Sequence, residues 1–179
     1  MQFRFDANQE FQQRAIASVA DVFQGMPRAA QRSAVRMFGT TIDLDSDRLA
    51  LDPARLLANV QAVQRSNHVV ADTELKTITA DADIGGTNRP VTFPNLSVEM
   101  ETGTGKTYVY LRTALELNRR YGLRKFIVVV PSVAVREGVL KTLQMTKGHF
   151  AEVFDNEPYR FDVYDSKNLT RLKNFAEDD

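Results

Sequence analysis

The stretch Met100-Glu101-Thr102-Gly103-Thr104-Gly105-Lys106-Thr107 constrains this chain more than any other. An apolar-patterned run precedes it (Leu96, Val98, Met100), and the residues from Lys106 to Tyr121 have helical periodicity. Strand, glycine loop, Gly-Lys-Thr and helix, in that order, form the context in which such a loop binds phosphate. Gly103 and Gly105 have no Cβ, so the backbone can wrap closely around phosphate oxygens. Successive N–H groups then point inward at the positive end of the following helix. In this pattern Lys106 reaches the β- and γ-phosphates of a nucleotide and the Thr107 hydroxyl ligates Mg²⁺, with Thr102 and Thr104 completing the loop. The plainer reading is a glycine turn that caps a helix, with Lys106 solvated. The strict pattern opens on Gly; Met100 stands there instead.

The 179 residues allow one domain with a real core, and 43% apolar with 26% charged residues excludes a disordered chain. A formal net charge of zero argues against a protein that coats nucleic acid through general basicity, but leaves room for a local basic patch. There is no cysteine, hence no disulfide framework and no thiolate metal site. His68 and His149 stand far apart and read as solvated or core histidines, not as a metal cluster. No apolar stretch approaches membrane-spanning length, and Met1 to Asp6 lacks the apolar core of a signal peptide. A soluble cytoplasmic protein with no membrane partner is expected.

Asp6 followed by Gln9 reads as a capping box that opens a helix running to about Phe23, with Ala15, Val19, Val22 and Phe23 as its apolar stripe. Gly25 and Pro27 stop it. Ala29 to Phe38 suggests a short helix ending at Gly39. Asp52-Pro53 starts another, with Leu56, Leu57, Val60 and Val63 on its buried face. Residues 66–94 are polar, with Gly85-Gly86 and two prolines, and read as a long loop or extended insertion.

From Asn95 the pattern changes to strand (95–99), phosphate loop, helix (106–121) and a stop at Gly122. Phe126 to Val130 is apolar at every position, as in a strand buried on both faces of a parallel sheet. Ser132 can cap a helix running to about Thr146, and a third strand is expected at Tyr159 to Tyr164. Strands alternating with helices predict an α/β fold with right-handed crossovers.

Three further constellations carry chemistry. Asp43-Leu44-Asp45-Ser46-Asp47 resembles the start of a calcium loop, but Arg48 replaces the needed Gly and Ala54 the final Glu, so a solvated acidic turn is expected. Phe11-Gln12 places a side-chain amide on the first helix. An amide donates and accepts at once, as the edge of adenine requires, and Gln12 is the candidate, with Gln9 the alternative and a surface glutamine the plainer reading. Ser132 and Arg136 follow the apolar run at the carboxyl end of an expected parallel strand, where ligands bind in open α/β sheets. They could hold a DNA phosphate; equally, they are a helix cap and a surface arginine.

The run from Phe93 through the loop to Tyr110, continued by Leu111-Arg112-Thr113, resembles motif I of the restriction (Res) subunit of type III restriction endonucleases. Phe126 to Gly138 resembles that family's motif Ia, Phe5 to Gln12 its Q-motif region with Phe11 where Tyr is usual, and Tyr164-Asp165-Ser166 the segment after its third strand. Nucleic-acid motors often relax the first loop position, which suits Met100. The resemblance implies a RecA-like P-loop motor domain of superfamily 2 with a parallel sheet, incomplete here. Residues 1–94 would be a helical N-terminal segment with the Q-motif region and an insertion, and residues 95–179 the first part of the ATP-binding domain.

It further implies ATP and Mg²⁺ as cofactors, with nucleotide held by Gln12, Thr102, Gly103, Thr104, Gly105, Lys106 and Thr107, catalytic roles for Lys106 and Thr107, and Mg²⁺ on Thr107. Double-stranded DNA and a modification (Mod) methyltransferase subunit are the implied partners. The family's acidic Asp-Glu box, second motor domain and nuclease residues are not found in this sequence, so an N-terminal fragment with little ATPase activity of its own is expected. The rival readings are another P-loop ATPase or kinase, and a nucleotide-binding remnant without catalysis.

Overall fold

Four helices and two small antiparallel sheets make up the computed structural model, which describes residues 6–28, 34–37, 40–43, 51–84, 87–164 and 175. The first helix, α1, spans Glu10–Val22. The Asp6 carboxylate accepts from the Asn8 N–H at 2.8 Å, an Asx turn that shifts the helix start beyond the expected box, and Gln9 becomes the N-cap. The buried stripe of α1 is Gln12, Ile16 and Ala20, joined by Val22. It is offset by one residue from the expected row of Ala15, Val19 and Phe23, with Val22 common to both.

Residues 34–37 correct the expected short helix. Ala34–Met37 is strand β1, paired antiparallel with β2, Thr40–Asp43. Val35 pairs with Ile42 and Arg36 with Thr41; three of these four are β-branched, a residue type with high strand propensity. The remainder of the expected helix, the acidic run after Asp43, the start Met1 to Phe5, and the segment from Asp165 apart from Phe175 lie outside the described residues.

Helix α2, Pro53–Ser66, begins as expected with Asp52 at the N-cap and Pro53 in its first turn. Leu56 and Val60 pack against Val22 of α1. Buried Asn59 is the polar link: its Nδ2 donates to the carbonyls of Val22 at 2.9 Å and Gln24 at 2.8 Å. The Val22 carbonyl ends α1 and the Gln24 carbonyl lies in the turn just beyond it, so neither has a helical partner; a side chain from the next helix satisfies them.

Of the two readings of the polar segment, the extended insertion holds: from Thr77 to Pro94 it is a long hairpin. β3, Thr77–Ile84, pairs antiparallel with β4, Thr87–Pro94, and the register leaves residues 85 and 86 between them. Thr79 and Thr92 share a hydroxyl hydrogen bond of 2.8 Å, and Asn95 N–H donates to Lys76 O where the ribbon closes. Pro90 is tolerated because each strand of a two-stranded ribbon pairs on one edge only. The hairpin residues whose burial is described are exposed, Pro94 excepted.

Helix α3, Lys106–Tyr121, is the centre of the packing. Its Tyr108, Val109 and Leu111 join Ile16 of α1 with Val139, Leu143 and Phe150 of helix α4, Val133–Val153. Its Leu117 and Tyr121 enclose Ala20 and Met26. The Tyr121 hydroxyl donates to Ala20 O at 2.8 Å, and Arg120 pairs with Asp21. Buried Glu116 receives Arg119 and Arg120; burial alone would raise its pKa, but the two guanidinium hydrogen bonds prevail and lower it. Gly122, at φ 73°, ends the helix in the left-handed conformation that glycine adopts without strain.

The expected parallel strands differ most from expectation. Residues 95–99, 126–130 and 159–164 form no strand among the described residues. Ile127 is 77% and Val129 89% exposed, the reverse of a strand covered on both faces. An apolar run becomes a strand only when neighbours take its N–H and C=O groups, and no described strand lies beside this one.

Asn59→Leu is expected to destabilise the protein by about 1–3 kcal/mol, because it strands the Val22 and Gln24 carbonyls without a donor. Urea denaturation of the two proteins side by side measures this, and an unchanged midpoint would mean that water replaces the amide at no cost.

Candidate functional site

The residues between Met100 and α3 form a tight loop whose shape depends on two glycines. Gly103 has φ 84° and Gly105 φ 82°, both in the left-handed region. Left-handed residues at alternate positions produce a concave arc of backbone N–H groups that suits an anion. The two positions differ in surroundings. A Cβ on Gly103 would meet open space, whereas one on Gly105 would come within 2.7 Å of the Gln12 amide nitrogen. Gly105 is also the N-cap of α3, so the arc opens at the positive end of the helix dipole.

Lys106 spans this loop. Its ammonium donates to the carbonyls of Met100 and Glu101, each at 2.8 Å, and so ties the start of the loop to the start of the helix. The Thr104 hydroxyl donates to Glu101 O at 2.6 Å. Thr107 lies partly exposed in the first turn of α3, and Thr102 is exposed in the turn. The loop thus offers a cation, several N–H donors and hydroxyls, a donor set suited to phosphate oxygens.

Gln12 comes to this loop from the other side. It is 8% exposed, and its Nε2 donates to Thr104 O at 3.0 Å across 92 positions of sequence. The structure therefore brings Gln12 and residues 102–107 together. Gln9, the alternative, is exposed, and its backbone carbonyl caps the start of α1. Ser132 is the N-cap of α4, its hydroxyl accepting from Val135 N–H at 3.3 Å. Arg136 is half-exposed and pairs with the adjacent Glu137 at 3.1 Å. Both features of the plainer reading are therefore present. They leave Arg136 able to turn to another anion, since an exposed pair of this kind is worth little.

A polar cluster beneath the loop was not foreseen. Arg112, on α3, donates through one Nη1 to Ala7 O at 2.7 Å and to the Tyr108 hydroxyl at 3.1 Å. That hydroxyl shares a 2.8 Å hydrogen bond with His149 Nε2 of α4. Tyr108 also stacks on Phe150, the most buried aromatic ring of the core. The available sequence signal was the Tyr108, Arg112 spacing of four, which places both on one helix face. His149 titrates below its ordinary value, chiefly through burial and then through the Arg112 guanidinium, with Glu152 opposing.

Among the described residues no group of three or more acidic, histidine or cysteine side chains could hold a metal ion, and no helix is long and apolar enough to cross a membrane.

Comparison with known proteins gives the family. The family model described as "Type III restriction enzyme, res subunit" matches residues 9–172, most of the chain. The chain belongs to the type III restriction enzyme Res subunit family. It is 28% identical over 169 residues to the EcoP15I Res subunit of Escherichia coli, an alignment covering 93% of this chain and 16% of that protein. It is 43% identical over 86 residues to the StyLTI Res subunit of Salmonella typhimurium strain LT2, covering 45% and 9%. It is 39% identical over 75 residues to the EcoPI Res subunit of Escherichia phage P1, covering 41% and 8%. The chain thus spans less than a fifth of the length of these curated relatives. No solved structure matches it.

Two predictions follow from this geometry. Gly105→Ala forces a side chain into the left-handed region, at a cost of about 1–2 kcal/mol, and pushes the Gln12 amide off Thr104. A lower melting temperature should accompany the change, whereas an unaltered one would show that the loop does not need glycine there. The second concerns pH. Because folding lowers the His149 pKa, the stabilisation is complete above the ordinary histidine value and is lost as pH falls through the folded value. Stability should therefore decline as pH falls from the ordinary histidine value through the lowered folded value, and His149→Gln should flatten that slope. Parallel slopes for the two proteins would remove His149 from the explanation.

Proposed function

We propose that this chain is the ATP-binding part of the motor of a type III restriction enzyme. The observation that carries the reading is the left-handed pair Gly103 and Gly105 at the head of α3, with Lys106 across the loop and the Gln12 amide held against it. The residues fit the group. The amide arc and the Lys106 ammonium are donors only, matched to phosphate oxygens. The Thr107 hydroxyl is a hard oxygen ligand, and Mg²⁺ characteristically takes one or two protein ligands and completes its shell with water and phosphate. Gln12 supplies the donor and acceptor that pair with the N6 and N7 edge of adenine, a combination guanine does not match.

When bound, ATP with Mg²⁺ supplies a phosphoanhydride whose hydrolysis can be coupled to movement. Lys106 neutralises charge that builds on the terminal phosphates. Gly103 and Gly105 let the backbone approach closely, and Gln12 fixes the base. The exposed apolar residues Leu96 and Val98 before the loop, and Ile127 to Val129 after α3, support a parallel, RecA-like sheet as the context of the loop, with 159–164 as a further strand. In that sheet Ser132 and Arg136 lie at the carboxyl edge, where they contact a DNA phosphate without reading sequence. The function is then that of a Res subunit: an ATP-dependent translocase and endonuclease on double-stranded DNA, acting in the cytoplasm with a Mod methyltransferase partner.

The test of the nucleotide reading is Lys106→Ala in the full-length polypeptide. Loss of a charge-assisted contact worth about 1.5–3 kcal/mol should lower ATP affinity or turnover by at least about tenfold. Hydrolysis at the wild-type rate would exclude the loop as the phosphate site. For the DNA contact, Arg136→Ala should weaken binding equally on unrelated sequences and reduce the dependence of affinity on salt by about one counterion. An unchanged salt dependence would return Arg136 to the role of a surface residue.

A further inference from the structure

Arg112 stands about one and two-thirds helical turns beyond Lys106 on the same helix, about 9 Å along its axis. It is buried, and its described hydrogen-bond partners are neutral oxygens: the Ala7 carbonyl and the Tyr108 hydroxyl. A guanidinium is an expensive side chain to bury without a carboxylate, and an apolar one of similar length would fill the space. What the guanidinium adds is reach to a backbone carbonyl 105 positions away. Ala7 lies in the turn that launches α1, and the same carbonyl also receives the Gln13 side-chain amide. Five residues beyond Ala7 is Gln12, whose amide sits against Thr104 and Gly105. The start of α1 is thus held to α3 by one bond from Arg112, while the Gln12 bond to the loop lies on the same first turns.

We infer that Arg112 is a positioning residue for the nucleobase: by anchoring Ala7 to the helix that follows the loop, it sets where Gln12 stands relative to the phosphate site and so determines preference for adenine over guanine. This rests on the ATP reading above. One rigid helix then carries both references, Lys106 for the phosphates and Arg112 for the base-recognising segment. Tyr108 steadies the guanidinium from the same helix, and its own hydroxyl is steadied by His149. A purely structural Arg112 would weaken folding and bind all nucleotides less well. A positioning Arg112 changes the ratio between nucleotides.

The experiment is equilibrium binding of ATP and of GTP, each with Mg²⁺, to the full-length polypeptide, competed against a fluorescent triphosphate. Wild type, Gln12→Ala, Arg112→Met, Arg112→Lys, Tyr108→Phe and the double variant Gln12→Ala/Arg112→Met are compared, with melting temperatures recorded. Arg112→Met should lower the ATP-to-GTP affinity ratio by about three- to tenfold, the scale of a lost hydrogen bond. Tyr108→Phe should lower it less. In the double variant, Arg112→Met should add nothing to the effect of Gln12→Ala, because the arginine acts through the glutamine. If Arg112→Met does not fold, Arg112→Lys and Tyr108→Phe carry the same comparison. A ratio that falls with Gln12→Ala but stays at the wild-type value in the folded Arg112 and Tyr108 variants overturns the positioning role alone. So does an additive double variant. A ratio unmoved by Gln12→Ala itself overturns the adenine reading, and the positioning role with it.

Discussion

The left-handed turn at Gly105 is the constraint on which the rest of the described structure depends. It fixes where α3 starts, and α3 is the element that α1 and α4 both pack against. With φ at 82° and the Gln12 amide close behind it, position 105 admits no side chain without moving something. The same turn aims the helix N-terminus out of the loop and delivers Lys106 across it. Local backbone conformation, helix packing and the donor set of the site are therefore one arrangement.

Around that point the polar contacts are long in sequence and short in space. Gln12 bonds to Thr104, Arg112 to Ala7, Tyr121 to Ala20 and Arg120 to Asp21. Each connects α1 or its preceding turn to α3 or its loop, so the segment before the insertion and the segment after it act as one unit. The β3–β4 hairpin leaves this unit at Lys76 and returns at Asn95, closed by a single backbone bond. A long excursion of that kind can be inserted between packed elements at little cost in loop entropy.

The loop and its helix were legible because glycine, lysine and helical periodicity act locally; α3 was placed at its observed limits from sequence, and Asp52-Pro53 announced α2. The hairpin was legible only as an extended insertion or a loop, because Gly85-Gly86, Pro90 and Pro94 read as breakers. The alternation of Ile78 and Ala80 with Thr77, Thr79 and Asp81 was the period-two signal that should have decided it. The apolar run at 126–130 reads as buried from sequence, yet Ile127 and Val129 are exposed, because no described strand pairs with it. Arg112 was legible only as part of a resemblance, since nothing local predicts that a helix arginine will reach Ala7.

The central claim is that the loop and the first turns of α1 form a single nucleotide site. Amide hydrogen exchange of the full-length polypeptide, with and without Mg²⁺ and ATP, tests it most directly. The amides of residues 103–107 and of residues 10–13 should gain protection together over the same range of ATP concentration, and neither should do so in Lys106→Ala. Protection of neither segment, or of the loop while α1 exchanges as before, would contradict it.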